Sequence, residues 1–128
     1  MSKKVKGPQL HSPQTVRLRA IKAMILENLA DQSLSIDAVS ARHDITTRYV
    51  NRLFERDTTT FSQFVLAERL KRARRMLIAP EFSGMTISSI AFEAGFGDIS
   101  YFNRTFRRHF GETPSAVRQG ARQDRAQE

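Results

Sequence analysis

One motif written twice constrains this chain more than any other feature. The segment SIDAVSARHDITTRYVNRLFER, starting at Ser35, lies against TISSIAFEAGFGDISYFNRTFRR, starting at Thr86. Apolar positions fall in step: Ile36 with Ile87, Val39 with Ile90, Ile45 with Phe96. One extra residue enters the turn of the second copy. Then Val50 matches Phe102, Asn51 matches Asn103, Arg52 matches Arg104 and Phe54 matches Phe106. Internal self-similarity of this kind decides architecture. The second copy reads as helix, tight turn, helix. Gly95 can take positive φ and end the first helix. Asp98 can cap the second by accepting from first-turn N–H groups. Phe102, Phe106 and Phe110 then form one buried stripe at i, i+4, i+8. Gly111 ends that helix, and Thr113-Pro114 opens a further one as N-cap and N1.

The remaining segments also read as helices. Ser12-Pro13 opens a first helix whose stripe is Ala20, Ile21, Met24, Ile25 and Leu29, closed by Asp31-Gln32-Ser33. Ser35, Thr46 and Thr86 stand as N-caps of the repeat helices. A long helix from about Phe61 to Ile78 joins the copies, with Phe61, Val65 or Leu66, Leu70, Ala73 and Leu77 inward. Lys71, Arg72, Arg74 and Arg75 crowd its other side, and Glu68 is spaced to pair with Arg72 at i, i+4. The organisation expected is a flexible arm or linker over 1–11, a first subdomain over 12–58, a linker helix over 59–79, a second subdomain over 80–118 and a disordered tail over 119–128.

The net charge of +8 favours a polyanionic partner. With no Cys there is neither a disulfide nor a thiolate metal site, and a reducing compartment is expected. Lys3, Lys4 and Lys6 are followed by no apolar h-region, so no secretion signal is read. No run of about 18 apolar residues suggests a membrane span. His11, His43 and His109 are scattered, with no HExxH, GxSxG or Gly-rich phosphate loop around them. No catalytic residue, metal ligand or cofactor is therefore expected.

In a helix-turn-helix, the second helix enters the major groove and its N-terminal half meets base edges. Both second helices carry Asn-Arg at the same outward place. Arginine can donate twice to guanine, and asparagine can bond adenine bidentately. A single such pair is ordinarily a solvated face. Its recurrence in the same slot of two repeats favours base reading.

With these residues in view, the chain resembles the DNA-binding domain of the AraC/XylS family of bacterial transcription regulators. The resemblance rests on Ala91, Gly95-Phe96, Asp98, Ser100-Tyr101-Phe102, Arg104, Phe106-Arg107-Arg108, Phe110-Gly111, Thr113-Pro114 and Arg118. Arg69-Leu70, Ala73 and Met76-Leu77 match the family's linker helix, and the likeness covers roughly residues 15–118. It implies an all-α, seven-helix double helix-turn-helix, two subdomains joined by a rigid helix. The recognition helices would lie in successive major grooves, about 34 Å apart. It further implies an activator that binds double-stranded operator DNA in the bacterial cytoplasm, on the nucleoid. RNA polymerase and a ligand-sensing domain outside these residues are the other partners implied.

Carried over position by position, the resemblance implies base reading by Thr47, Arg48, Asn51 and Arg52, and by Ile99, Ser100, Asn103 and Arg104. It implies phosphate contacts from Arg107, Arg108, Thr113 and Tyr101, with Thr113 at the positive end of a helix dipole. Arg69 matches a structural ion-pair position. The first repeat departs from the pattern: His43-Asp44 stands where Gly is usual, Ser40 where Ala is usual, and Thr58-Thr59 replaces Phe-Gly. Ile99 is apolar where a polar residue is common, and either packs on a thymine methyl or shields the backbone. A basic helical module for protein or RNA contacts, with no sequence-specific reading of DNA, is the alternative. RNP aromatics and a GXXG loop are both missing.

Overall fold

The computed structural model describes residues 12–127, so the arm expected over 1–11 lies outside the described residues. Seven α-helices form: α1 Pro13–Glu27, α2 Ile36–His43, α3 Thr47–Phe54, α4 Phe61–Ile78, α5 Ile87–Glu93, α6 Ile99–Phe110 and α7 Pro114–Ala126. Short 3-10 turns occupy Glu55–Asp57 and Pro80–Phe82, and there is no strand among the described residues. None of these helices is long and apolar enough to cross a membrane.

Every helix starts on a side-chain cap. Ser12, Ser35, Thr46, Thr86, Asp98 and Thr113 each accept from a first-turn N–H, as the sequence suggests. At α4 the cap is reciprocal. Thr60 Oγ1 accepts from Gln63 N at 3.1 Å, and Gln63 Oε1 accepts from Thr60 N at 3.1 Å. Each such cap contributes about 1 kcal/mol by relieving an N–H with no partner inside its helix.

The chain divides into two compact units. The first comprises the described residues up to 28 together with 33–65, and the second comprises 29–32 and 66–127. The boundaries read from sequence shift accordingly. The first turn of α4 belongs to the first unit and its remainder to the second, while the short segment Leu29–Gln32 leaves the first subdomain for the second.

In the first unit, Leu18, Ile21 and Ile25 of α1 are buried, as are Val39, Val50, Leu53, Phe54, Phe61 and Val65. Phe54 is the hub, with the Phe61 ring 6.2 Å away edge-on and the Phe64 ring at 5.4 Å. The α1 stripe differs from expectation. Leu18 is buried, Ala20 is exposed and Met24 is half-buried. Residues 18, 21 and 25 keep one face at i, i+3, i+7, from which position 20 is turned away. α1 also stops at Glu27, capped by Asn28, about a turn before the expected stop.

The second unit is built on an aromatic ladder. Phe96 to Phe102, Phe102 to Phe106 and Phe106 to Phe110 are spaced 4.9, 5.5 and 4.7 Å between ring centres. Leu70, Ala73, Met76 and Leu77 of α4 pack with Ile90, Ala91, Ala94 and Val117 in the same core. Glu68 pairs with Lys71 rather than with Arg72, whose Nε donates to the Glu93 carbonyl, so the expected i, i+4 pair does not form. Arg69 Nε donates to the Leu29 carbonyl at 2.9 Å and its Nη2 to that of Asp31 at 3.1 Å. Burial lowers the Arg69 pKa, and the charge of Asp31 opposes that shift. Arg69 is thus structural, as the resemblance implies, with main-chain carbonyls as hydrogen-bond acceptors.

The tail expected to be disordered from 119 is helical to Ala126. Arg122 Nη2 donates to Ser83 O at 2.9 Å and Arg125 Nη1 to Ile78 O at 2.7 Å. These acceptors are distant in sequence, and the tail has no apolar stripe to announce its docking.

Candidate nucleic-acid interface

Both copies of the motif close their turn in the same way. In the first, Ile45 N donates to Ser40 O at 3.0 Å around Asp44, whose φ is 56°. In the second, Phe96 N donates to Ala91 O at 2.9 Å around Gly95, whose φ is 113°. Asp tolerates the left-handed region better than most side chains, so His43-Asp44 performs the turn without glycine. Ser40 stays compatible with the Ala-like position because its Oγ donates back to Asp37 O. Glycine is required at 95 for a second reason. A Cβ there would sit 2.2 Å from Leu29 O and 2.4 Å from Arg69 Nε.

The end of the recognition helix differs between the copies. Gly111 takes φ 79° after α6, whereas after α3 the left-handed residue is Thr58, at φ 53° and one position earlier than the alignment with Gly111 puts it. A β-branched residue is strained there. The Glu55–Asp57 turn precedes it, and Thr59 N donates to Phe54 O to close the end.

On α6, Phe102 and Phe106 are fully buried, which turns Ile99, Ser100, Asn103, Arg104, Arg107 and Arg108 outward, all of them exposed. Tyr101 is 43% exposed with its ring 6.4 Å from Phe96, half core and half surface. Asn103, Arg104 and Arg107 meet Thr113, Pro114 and Ser115 around one open cleft of about 430 Å³. The cleft thus joins the outer face of α6 to the N-terminal turn of α7, whose Ser115 N–H and dipole favour an anion. No carboxylate lines it. Two other clefts in this unit each carry two, Glu112 with Asp124 and Glu81 with Glu93. Ser115 was not singled out from sequence; its place after Thr113-Pro114 is the signal that could have found it.

On α3, Arg48 and Arg52 are exposed and Thr47 is half-buried. Asn51 is half-buried, and its Oδ1 accepts from the Phe61 N–H at 2.9 Å. Its repeat partner Asn103 is exposed.

Six arginines are tied to the protein itself. Arg17, Arg56, Arg69, Arg72, Arg122 and Arg125 donate to carbonyls or hydroxyls of the protein itself. Arg48, Arg52, Arg104, Arg107 and Arg108 make no ion pair or hydrogen bond among the described residues, and neither do the exposed Arg19, Arg42 and Arg75. The first five of these lie on the outer faces of α3 and α6. A guanidinium with five unused donors recognises planar acceptor pairs, such as guanine edges or phosphate oxygens.

Residues 39–120 match a family model described as a helix-turn-helix domain. The chain is 44% identical over 102 residues to the transcriptional activator RhrA of Rhizobium meliloti, covering 80% of this chain and 32% of that protein. It is 31% identical over 105 residues to the HTH-type transcriptional activator RhaS of Escherichia coli, covering 81% of this chain and 36% of the relative. The chain therefore spans about a third of the length of these relatives. Among solved structures, it is similar to a transcriptional regulator with an AraC-type DNA-binding domain from Chromobacterium violaceum. That match has 28% identity and a TM-score of 0.74, with 83% of this chain and 92% of the other covered. The C-terminal domain of AraT, a response regulator from Geobacillus stearothermophilus, shares the fold. Its TM-score is 0.76 at 19% identity, with 85% and 88% of the two chains covered.

Proposed function

Because the chain belongs to the AraC family of helix-turn-helix transcription regulators, we propose that it reads double-stranded operator DNA with α3 and α6, one in each of two successive major grooves. Arg48 and Arg52, with Thr47, face the bases from α3; Ile99, Ser100, Asn103 and Arg104 face them from α6. Arg107, Arg108, Tyr101 and the Thr113 end of α7 hold phosphates. The observation that carries this reading is that both recognition-helix faces present uncommitted guanidiniums, and that those of α6 border a cleft that no carboxylate lines. A bidentate arginine–guanine contact discriminates by about 1–3 kcal/mol. Each phosphate contact adds affinity without sequence information and releases counterions. Activation of transcription through RNA polymerase, in the bacterial cytoplasm and under a sensing domain outside these residues, completes the reading.

Selection of bound duplexes from a random library tests it. Two short boxes one helical turn apart are expected, and Arg52→Ala and Arg104→Ala each relax one box. A selected site indifferent to both substitutions would overturn the assignment of α3 and α6 as readers.

A further inference from the structure

The same asparagine stands at the same place in both copies of the motif, yet its surroundings differ. The cause lies in the next helix. At the start of α4 the chain must find acceptors for N–H groups that no helical carbonyl serves. Thr60 and Gln63 serve each other through their reciprocal cap. Phe61, at N1, is left over, and its N–H is taken by Asn51 Oδ1 from α3 at 2.9 Å. At the start of α7, the residue at N1 is Pro114. Proline has no N–H, so nothing there calls on Asn103. Asn103 stays exposed and lines the cleft with Pro114.

We infer that Asn51 is a positioning residue which clasps the recognition helix α3 to the first turn of α4, and that Asn103 alone of the pair reads a base. One lone pair of the Asn51 amide oxygen is taken by Phe61 and the half-buried side chain is held toward α4, so a two-point contact with adenine would have to share that oxygen or break the clasp. Base reading in the first unit falls on Arg48 and Arg52, which are exposed and uncommitted. This asymmetry rests on the proposal that α3 and α6 enter the groove. The clasp itself does not, because it can be observed in the free protein.

The test uses the full chain and four variants: Asn51→Ala, Asn51→Asp, Asn103→Ala and Arg52→Ala. In the absence of DNA, Asn51→Ala should speed exchange of the Phe61 amide by roughly fivefold, the size of a lost helix cap. Asn51→Asp keeps an acceptor oxygen and should restore the protection; a loss of packing alone would not be rescued in this way. On a randomised duplex library, Asn103→Ala should relax preference at one base pair. Asn51→Ala should relax no position that Arg52→Ala or the parent leaves sharp, and should weaken every duplex by the same factor. Unchanged exchange at Phe61, or a new relaxed base pair in Asn51→Ala, would overturn the inference. If Arg52→Ala and Asn103→Ala both left preference intact while the Phe61 amide behaved as expected, the clasp would stand and the groove reading would fall.

Discussion

Gly95→Ala tests how the second unit holds its parts together. The glycine has φ 113°, a region that an L side chain enters at a cost of about 1–3 kcal/mol. Its added Cβ would lie 2.2 Å from Leu29 O and 2.4 Å from Arg69 Nε, so either the guanidinium or the 29–32 segment must move. Moving either breaks the bonds from Arg69 to Leu29 O and Asp31 O. A hydrogen bond to a charged group contributes about 1.5–3 kcal/mol, and the half-buried position of Arg69 argues for the low end. The expected loss is about 4 kcal/mol, a large part of the roughly 5–15 kcal/mol that stabilises a domain. Urea unfolding followed by far-UV circular dichroism, with amide exchange over α5 and α6, measures it. A cycle with Arg69→Ala separates the causes. Arg69→Ala alone should cost about 3 kcal/mol, and Gly95→Ala in that background should retain only the backbone strain and the clash with Leu29 O. A loss below about 1 kcal/mol for Gly95→Ala would show that the turn absorbs a side chain, and would refute the argument that this contact requires glycine.

Three further outcomes follow from the geometry. Thr58→Gly should stabilise the first unit by about 0.5–1 kcal/mol, because relief of left-handed strain exceeds the extra freedom glycine gives the unfolded chain. A raised urea midpoint at unchanged slope would confirm it, and a lowered midpoint would mean that the bond from Thr58 Oγ1 to Asp57 O matters more. Arg107→Ala should weaken all duplexes alike and reduce the salt slope of binding by about 1, whereas Arg104→Ala should cost about 1–3 kcal/mol on the selected site alone, as titrations at several salt concentrations can decide. Pro114→Ala restores an N–H at N1 of α7. Asn103 should turn to it, and library selection should show the same relaxed base pair as Asn103→Ala; an unrelaxed profile would mean that position 114 does not govern Asn103.

Much of the fold was legible because it is encoded locally. Caps such as Thr46 and Asp98 lie within three residues of the N–H groups they serve. The Phe102–Phe106–Phe110 stripe needs only the helical period. The double motif supplied the architecture by comparing the chain with itself. What was not legible depends on partners far along the chain. Nothing in the sequence separates Arg104, which is free, from Arg69, Arg72 or Arg125, which serve distant carbonyls. The helical tail was missed for the same reason. Asn51 and Asn103 read identically until the residue at N1 of the following helix is considered, and that residue is ten or more positions away.

The hold of Arg69 on Leu29 and Asp31 bears on how this fold tolerates recombination. Both acceptors are main-chain oxygens, so the hydrogen bonds of the clamp do not depend on which side chains flank it, although the charge of Asp31 favours the Arg69 cation. Apart from the buried Leu29, sequence drift between α1 and α2 therefore costs the clamp less than a change of length. A chimera that joins the first sixty or so residues to a relative's remaining portion hands the newcomer a foreign 29–32 segment. The clamp survives such a graft only where the spacing after α1 is kept and a glycine stands at the place of Gly95. The clamp thus ties a segment from early in the chain into the second unit, and neither unit is a contiguous stretch of chain.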